Sequence, residues 1–546
     1  MVLGGNMADM TKEAKDTAKR IYERAKSQGR LLENLSKNEL RSLSLDEPGI
    51  RVTNRGSLLT LSEPKSRSAM HTTNNIDSQY GEKELELLKQ AEFYMSKEKL
   101  ISLDVVVGDG SEGITARLMI PERFAHLAYG GIKLFKPAET PVADPTYRII
   151  MFFDDNFGKN KDIKHMEDKK ISIRNFHSPE GSLTKVVNNC DYFGEFKKGV
   201  FTGEDWRVKQ KGDAIFLHAG CRTDLLQLAH MHKNKRYESI SSLVIALSAN
   251  GKTTLTCGLF AYKSGEMSSL VQDDGGTLNR DGSFWGFEAG AIFAKTEGLN
   301  PKDQREIYYG ALRSDTLLEN VHIDKNGQID FSNDELTTNG RAIIGREYIT
   351  HSSIDINAEK IDNIFIITRG DIIPAVAKLT HEQAAAFMVL GQSMESSAGD
   401  ASQAGKIKNE FFCDPFIAGD RAKHANLFYD ILKSNPCINC YLLNTGGIGL
   451  GTSYEDITLS DTIGILESIL RRGLEGKEDW VESPTGLLVP GAIRTVDSAL
   501  FEPEKRYSSS EFIDRQNALN KHRAETLEKY PGLDNSIAAV FKDYKR

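Results

Sequence analysis

The stretch Leu243-Val244-Ile245-Ala246-Leu247-Ser248-Ala249-Asn250-Gly251-Lys252-Thr253-Thr254-Leu255 is an apolar run that breaks at Ser248 and ends in Gly-Lys-Thr. These residue types at this spacing suit phosphate binding. Backbone N–H groups at a helix N-terminus point at phosphate oxygens, a lysine neutralises the outer phosphates, and a threonine hydroxyl ligates the metal riding on them. Ala246 stands where the pattern G-x-x-x-x-G-K-[ST] has its first glycine. The plainer reading is an incidental Gly-Lys-Thr in a strand-to-helix turn. Against it stands the sequel, Ser268-Ser269-Leu270-Val271-Gln272 running into Asp273-Asp274, a strand ending in two carboxylates. Alone, an Asp pair at a strand end is more often turn chemistry. Downstream of a phosphate loop it supplies the oxygen ligands that a nucleotide-bound cation needs.

Other segments carry weaker signals. Asp191-Tyr192-Phe193-Gly194-Glu195-Phe196-Lys197-Lys198-Gly199-Val200-Phe201 frames two lysines and an acid with aromatics and glycines. Aromatic framing can desolvate a lysine, lower its pKa and make it a neutral metal ligand or acid/base, although an exposed pair is the commoner outcome. Ala214 to Leu217 reads as a strand ending at His218, either a site histidine or a hydrogen-bonded core one. His230 and His232 lie on a basic segment that reads as an insertion rather than a metal site. Cys437-Ile-Asn-Cys440 has no second pair to complete a zinc site, so buried strand cysteines are expected, and all six cysteines read as reduced. Arg341 falls in a polar loop, and Asn444-Thr445-Gly446-Gly447-Ile448-Gly449 is glycine-rich enough to approach a ligand closely.

The elements that position these groups are ordinary for a soluble chain. With 546 residues, 39% hydrophobic and 27% charged, the protein can bury more than one core. A net charge of −8 argues against a general nucleic-acid surface while allowing a local basic pocket. No apolar run approaches a membrane span, and Met1 to Asn6 is too short and polar for a secretory core, so a cytoplasmic protein is expected. Residues 10–45 predict one or two surface helices, and residues 82–97 a helix. Alternating strands begin near Leu100 and recur at residues 114–120 and 147–153. Residues 158–170 read as a surface loop, Asn363 to Thr368 as a core strand, and Thr380 as the cap of a helix reaching Leu390.

Taken in order, Tyr192-Phe-Gly-Glu-Phe-Lys-Lys-Gly199, Leu247 to Leu255, Asp273-Asp274, Phe287-Glu288 with Ala294-Lys295-Thr296, Leu336-Thr337 to Arg341, and Asn444-Thr445-Gly446 resemble ATP-type phosphoenolpyruvate carboxykinase. The resemblance runs from about Arg117 to the tail. It implies an α/β, two-domain fold: a mixed-sheet substrate-binding domain over 1–212, and a P-loop nucleotide- and metal-binding domain over 213–546. Lys198, His218 and Asp274 would hold Mn²⁺, while Thr253 and Asp273 would serve Mg²⁺ on ATP. Lys252, Lys295 and Arg341 would surround the transferring phosphoryl group, Tyr192 would sit by the substrate, and Arg67 would clamp its carboxylate. Leu247, Ser248, Ala249, Asn250, Gly251, Lys252, Thr253, Thr254, Arg341 and Thr462 would contact the nucleotide.

The implied reaction turns oxaloacetate and ATP into phosphoenolpyruvate, CO₂ and ADP, a gluconeogenic step on small molecules, with monomer or homo-oligomer left open. Ala246, Ala249 and Asn250 depart from the family's phosphate loop, and Asp456 falls near the place of a nucleotide-side Arg. These departures motivate two alternatives: a related phosphotransferase with another donor or acid acceptor, and a non-catalytic nucleotide-binding paralogue.

Overall fold

A computed structural model describes residues 7–62, 68–155, 157, 171–229, 237–247, 250–337, 339–394 and 407–542. The chain forms two compact units, each discontinuous in sequence. The first takes Met1–Lys211, Gly286–Thr350 and Pro415–Gly419, and the second takes Gly212–Trp285, His351–Asp414 and Asp420–Arg546. The expected division at 212/213 marks where the chain first leaves the first unit, but residues 286–350 return to it. The reason is strand pairing: Ala291–Lys295, Arg341–Gly345 and Leu317–Glu319 complete a five-stranded sheet with Leu58–Thr60 and Arg51–Val52. Leu317–Glu319 runs parallel to Leu58–Thr60.

The larger sheet of the first unit is mixed. Tyr147–Phe152 is parallel to both Thr115–Pro121 and Leu183–Asn188, and Leu100–Val106 is antiparallel to Thr115–Pro121. Side chains alternate across a strand, so Ile150 and Phe152 face one side while Tyr147 and Ile149 face the other. On the first side lies the helix Met7–Ser27, whose Met10, Ala14, Ala18, Ile21 and Ala25 fall at helical spacing and pack with Ile150, Phe152 and Val186. This helix is therefore half core, not only surface. On the other side lies the helix Gly194–Lys211, drawn close by two glycines. A Cβ on Gly199 would stand 2.8 Å from Ile149 Cγ1, and one on Gly203 would stand 2.6 Å from Tyr147.

In the second unit the strands Tyr237–Ile245, Asn363–Thr368 and Asn439–Asn444 are parallel neighbours. Their runs Leu243-Val244-Ile245, Ile364 to Ile367 and Leu442-Leu443 are fully buried, as strands covered on both faces require. Ala219–Gln227 pairs antiparallel with Tyr237–Ile245 and, on its other edge, with Met267–Gln272. Inside this sheet Arg222 forms a bidentate pair with Asp224, both contacts 2.7 Å, and donates to the Leu255 carbonyl at 2.5 Å. Arg222→Met strands the Asp224 charge and is expected to cost about 3–5 kcal/mol in denaturant unfolding. Removing both charges in Arg222→Met/Asp224→Leu should recover much of that loss.

Several local readings shift. Arg341 opens a strand rather than sitting in a loop, because Ala342-Ile343-Ile344 continue into the sheet. Cys437 is exposed and only Cys440 of the pair is buried. Thr380 caps the helix His381–Leu390 with Gln383 at N3, as read. No helix among the described residues is long and apolar enough to cross a membrane. His230, His232 and residues 158–170 lie outside the described residues.

Candidate active site

In the second unit the strand Tyr237–Ile245 leads through Ala246 and Leu247 toward Asn250 and Gly251; Ser248 and Ala249 lie outside the described residues. Gly251 has φ +96°, a left-handed conformation that glycine adopts without strain, and the helix Lys252–Thr256 starts directly after it. Lys252, Thr253 and Thr254 thus occupy its first turn. Thr256 Oγ1 donates to the Lys252 carbonyl at 2.8 Å. Across the sheet, Thr445 Oγ1 donates to the Asn250 carbonyl at 3.1 Å, bracing the loop from the glycine-rich segment. Gly220 lets the neighbouring strand pass, since a Cβ there would lie 2.2 Å from Thr256 Oγ1 and 2.9 Å from the Asp273 carbonyl.

Asp273 and Asp274 follow the strand Met267–Gln272, and His218 follows Ala214–Leu217. Asp274 is the meeting point. Its Oδ1 lies 2.9 Å from His218 Nε2 and also pairs with the Lys252 ammonium. The sequence assigns Lys252 to phosphate and Asp274 to metal; the structure joins them through one carboxylate oxygen. Thr462 is buried in the helix Leu459–Leu470 with its hydroxyl donating to the Thr458 carbonyl at 3.2 Å. Asp456 accepts from the Tyr454 hydroxyl at 3.0 Å.

In the first unit Tyr192 and Phe193 precede the helix Gly194–Lys211. The buried Glu195 accepts from Lys185 at 2.6 Å and from Lys198 at 2.8 Å. Burial pulls the Lys198 ammonium down, but Glu195 and Tyr192 outweigh it, and the balance lies above the ordinary lysine value. The aromatic frame therefore does not lower this pKa: the carboxylate one helical turn back decides the sign. Lys198 Nζ stands 5.4 Å from the Tyr192 ring. Lys197 is buried against Glu288 at 2.8 Å, so this is not the exposed lysine pair either.

Lys295 and Arg341 lie directly opposite each other on antiparallel strands, and Arg341 in turn lies opposite Glu319. Directly opposed residues project from the same face, so Lys295, Arg341 and Glu319 form one row. The Arg341 guanidinium lies 5.9 Å from the Phe293 ring, and Lys295 pairs with Glu297. Arg67 lies outside the described residues. Glu195 and Glu319 were not singled out from sequence as site residues. For Glu195 the signal was present, since its i, i+3 spacing to Lys198 is an ion-pair spacing. For Glu319 no local pattern exists.

Whether these groups fit a divalent cation follows from their chemistry. Among the described residues no three His, Cys, Asp or Glu side chains form a ready-made cage. His218 and Asp274 do form a two-donor nucleus of imidazole and carboxylate, with Asp273 next in sequence and Thr253 on the helix of Lys252. A cation completed by phosphate and substrate oxygens fits such a set. Lys198, held as an ammonium by Glu195, fits a ligand role only after losing its proton.

Fold and residues together define a two-unit mixed α/β protein with the Lys252–Asp274–His218 cluster in its second unit and the row of Lys295, Arg341 and Glu319 in its first. A family model described as phosphoenolpyruvate carboxykinase matches residues 30–499, and the chain belongs to that family, in its ATP-type branch. Similar curated proteins include "Phosphoenolpyruvate carboxykinase (ATP)" of Mesorhizobium japonicum, 28% identical over 360 residues, covering 64% of this chain and 63% of that protein. The protein of the same name from Rhizobium rhizogenes is 27% identical over 342 residues, covering 61% and 59%. "Phosphoenolpyruvate carboxykinase (ATP) 2" of Salinibacter ruber is 25% identical over 440 residues, covering 78% and 77%. The chain thus spans about three-fifths of the length of the first two relatives.

Proposed function

We propose that this protein converts oxaloacetate and ATP into phosphoenolpyruvate, CO₂ and ADP with divalent cations, as a cytoplasmic gluconeogenic enzyme acting on small molecules. The observation that carries the reading is the Lys252–Asp274–His218 cluster placed directly behind the left-handed Gly251. It unites a phosphate cation with metal donors in a chain of this family.

Lys252 neutralises the outer phosphates, and Leu247 to Thr254, with Thr462, line the nucleotide. Thr253 and Asp273 are the proposed Mg²⁺ ligands, and His218, Asp274 and Lys198 the Mn²⁺ ligands. The cations, when bound, supply Lewis-acid stabilisation of developing negative charge. Tyr192 orients oxaloacetate and Arg67 pairs with its carboxylate. The C3–C4 bond breaks, CO₂ departs, and the electron pair moves onto the former carbonyl oxygen. That oxygen attacks the γ-phosphorus while the bond to the β-phosphate oxygen breaks. Lys295 and Arg341 stabilise the charge spread over the transferring group.

The test is phosphoenolpyruvate formation from oxaloacetate with Mn²⁺ and Mg²⁺, comparing ATP, GTP and pyrophosphate. Turnover with ATP supports the reading. Turnover only with another donor moves the specificity, as Asp456 would then explain, and no product in folded protein favours the non-catalytic paralogue. His218→Gln keeps a hydrogen-bonding side chain but loses the imidazole donor. As for any direct ligand, we expect the Mn²⁺ concentration for half-maximal rate to rise about 100-fold or more, beyond the effect of losing a group that only supports a ligand; an unchanged metal titration would remove His218 from the ligand set.

A further inference from the structure

We propose that Glu319 is a positioning residue that anchors the Tyr192-to-Lys198 segment to the strand row bearing Arg341 and Lys295. The inference rests on the reading above for the roles of those residues, but its geometry stands apart from it. Glu319 is the last residue of the strand Leu317–Glu319 and is 2% exposed. Its Oε1 accepts the Phe193 backbone N–H at 3.1 Å. That amide immediately follows Tyr192 and precedes the first turn of the helix carrying Lys198.

The Phe193 ring is held on the same face of the sheet. It stands 5.4 Å from Phe293, edge to face, and a Cβ on Gly130 would come within 2.6 Å of it. Phe293 lies two residues before Lys295 on its strand and so shares its face. Tyr192 leans on the same ring at 6.4 Å. The aromatic contacts are non-directional, and Lys185 ties the segment further along at Glu195, whereas the hydrogen bond to Glu319 fixes the backbone at Phe193 itself against the strand row.

The anchor is also sensitive to protonation. Burial pushes the Glu319 carboxyl up; the Phe193 N–H and His126 pull it down, Asp191 pushes it up again, and the Ser62 hydroxyl lowers it, leaving it at about 7 against an ordinary 4.5. Of the charged groups around it, His126 is itself bound to Glu47 at 2.7 Å and Arg341 is the neighbour across the sheet. A carboxyl raised on folding contributes stability below its ordinary range and loses it as pH rises through the folded value.

The test uses the full-length protein with Glu319→Ala and Glu319→Gln. Exchange of the Phe193 amide is followed by hydrogen–deuterium exchange, and turnover and melting temperature are followed between about pH 5 and pH 8. In Glu319→Ala we expect Phe193 to exchange about tenfold faster and kcat to fall about tenfold, with KM for ATP unchanged. Glu319→Gln, which keeps an acceptor oxygen, should retain protection and most of kcat. It should lose the inflection near pH 7 in turnover, and its melting temperature should fall less than that of wild type as pH rises. Wild-type exchange at Phe193 in Glu319→Ala, or an unchanged inflection in Glu319→Gln, overturns the proposal. A wild type that makes no phosphoenolpyruvate overturns the proposed function instead, and exchange together with the melting profile still decides on Glu319.

Discussion

Lys252→Met should lower the rate of phosphoenolpyruvate formation by about three orders of magnitude while leaving divalent-cation binding intact or tighter. Both halves follow from one contact. Lys252 sits at the first position of a helix behind a left-handed glycine, where a cation meets the outer phosphates. Removing its charge exposes the transferring group to uncompensated repulsion. The same ammonium pairs with Asp274, the oxygen that His218 also approaches, and so competes with any cation for that carboxylate. Methionine abolishes the competition. Mn²⁺ binding measured by calorimetry on the nucleotide-free protein should hold or strengthen as turnover collapses. Near-normal turnover would sink the phosphate assignment, and a parallel loss of metal binding would show that Lys252 supports Asp274 rather than competing with it.

Asp274→Asn is the complementary experiment. The amide keeps the shape of the side chain but removes the charge that makes it a hard-cation ligand. Metal affinity by the same calorimetry should fall about 100-fold or more, beyond the 10–100-fold typical of supporting groups, and turnover should fall with it. Lys252 also loses its ion-pair partner. ATP binding without metal is therefore expected to be retained, since an unpaired ammonium meets phosphate more readily. A variant with wild-type metal affinity would refute the assignment of Asp274 and leave Asp273 to be tested.

These expectations differ from what the sequence alone supports because pairing at a distance is invisible in it. The strand, turn and Gly-Lys-Thr were legible: an apolar run followed by glycine and lysine is a local pattern. So was the strand ending at His218, and the order of the motifs was enough to place the family. The meeting of Lys252 with Asp274 was not, because the strand Ala219–Gln227 lies between the strands that carry them and nothing local specifies that order. Arg341 was misread because Thr337-Thr338-Asn339-Gly340 look like a loop that should include it, whereas the sheet begins at Arg341 itself. The Lys198 environment was read from its aromatic neighbours; Glu195, one turn away and fully buried, determines its charge instead.

The return of residues 286–350 to the first unit has a consequence for how the chain is made. Among the described residues Leu58–Thr60 finds its parallel partner only in Leu317–Glu319, so during synthesis the early strand must wait, with that edge open, while the first segment of the second unit emerges. Closing so long a loop costs entropy that only the finished sheet offsets. An open strand edge in the meantime is a template for pairing with another nascent chain. A fragment ending at Lys211 would inherit that edge permanently, without Lys295, Arg341 or Glu319, and would be a poor candidate for independent folding. The row of Lys295, Arg341 and Glu319 is thus also the last part of its sheet to leave the ribosome.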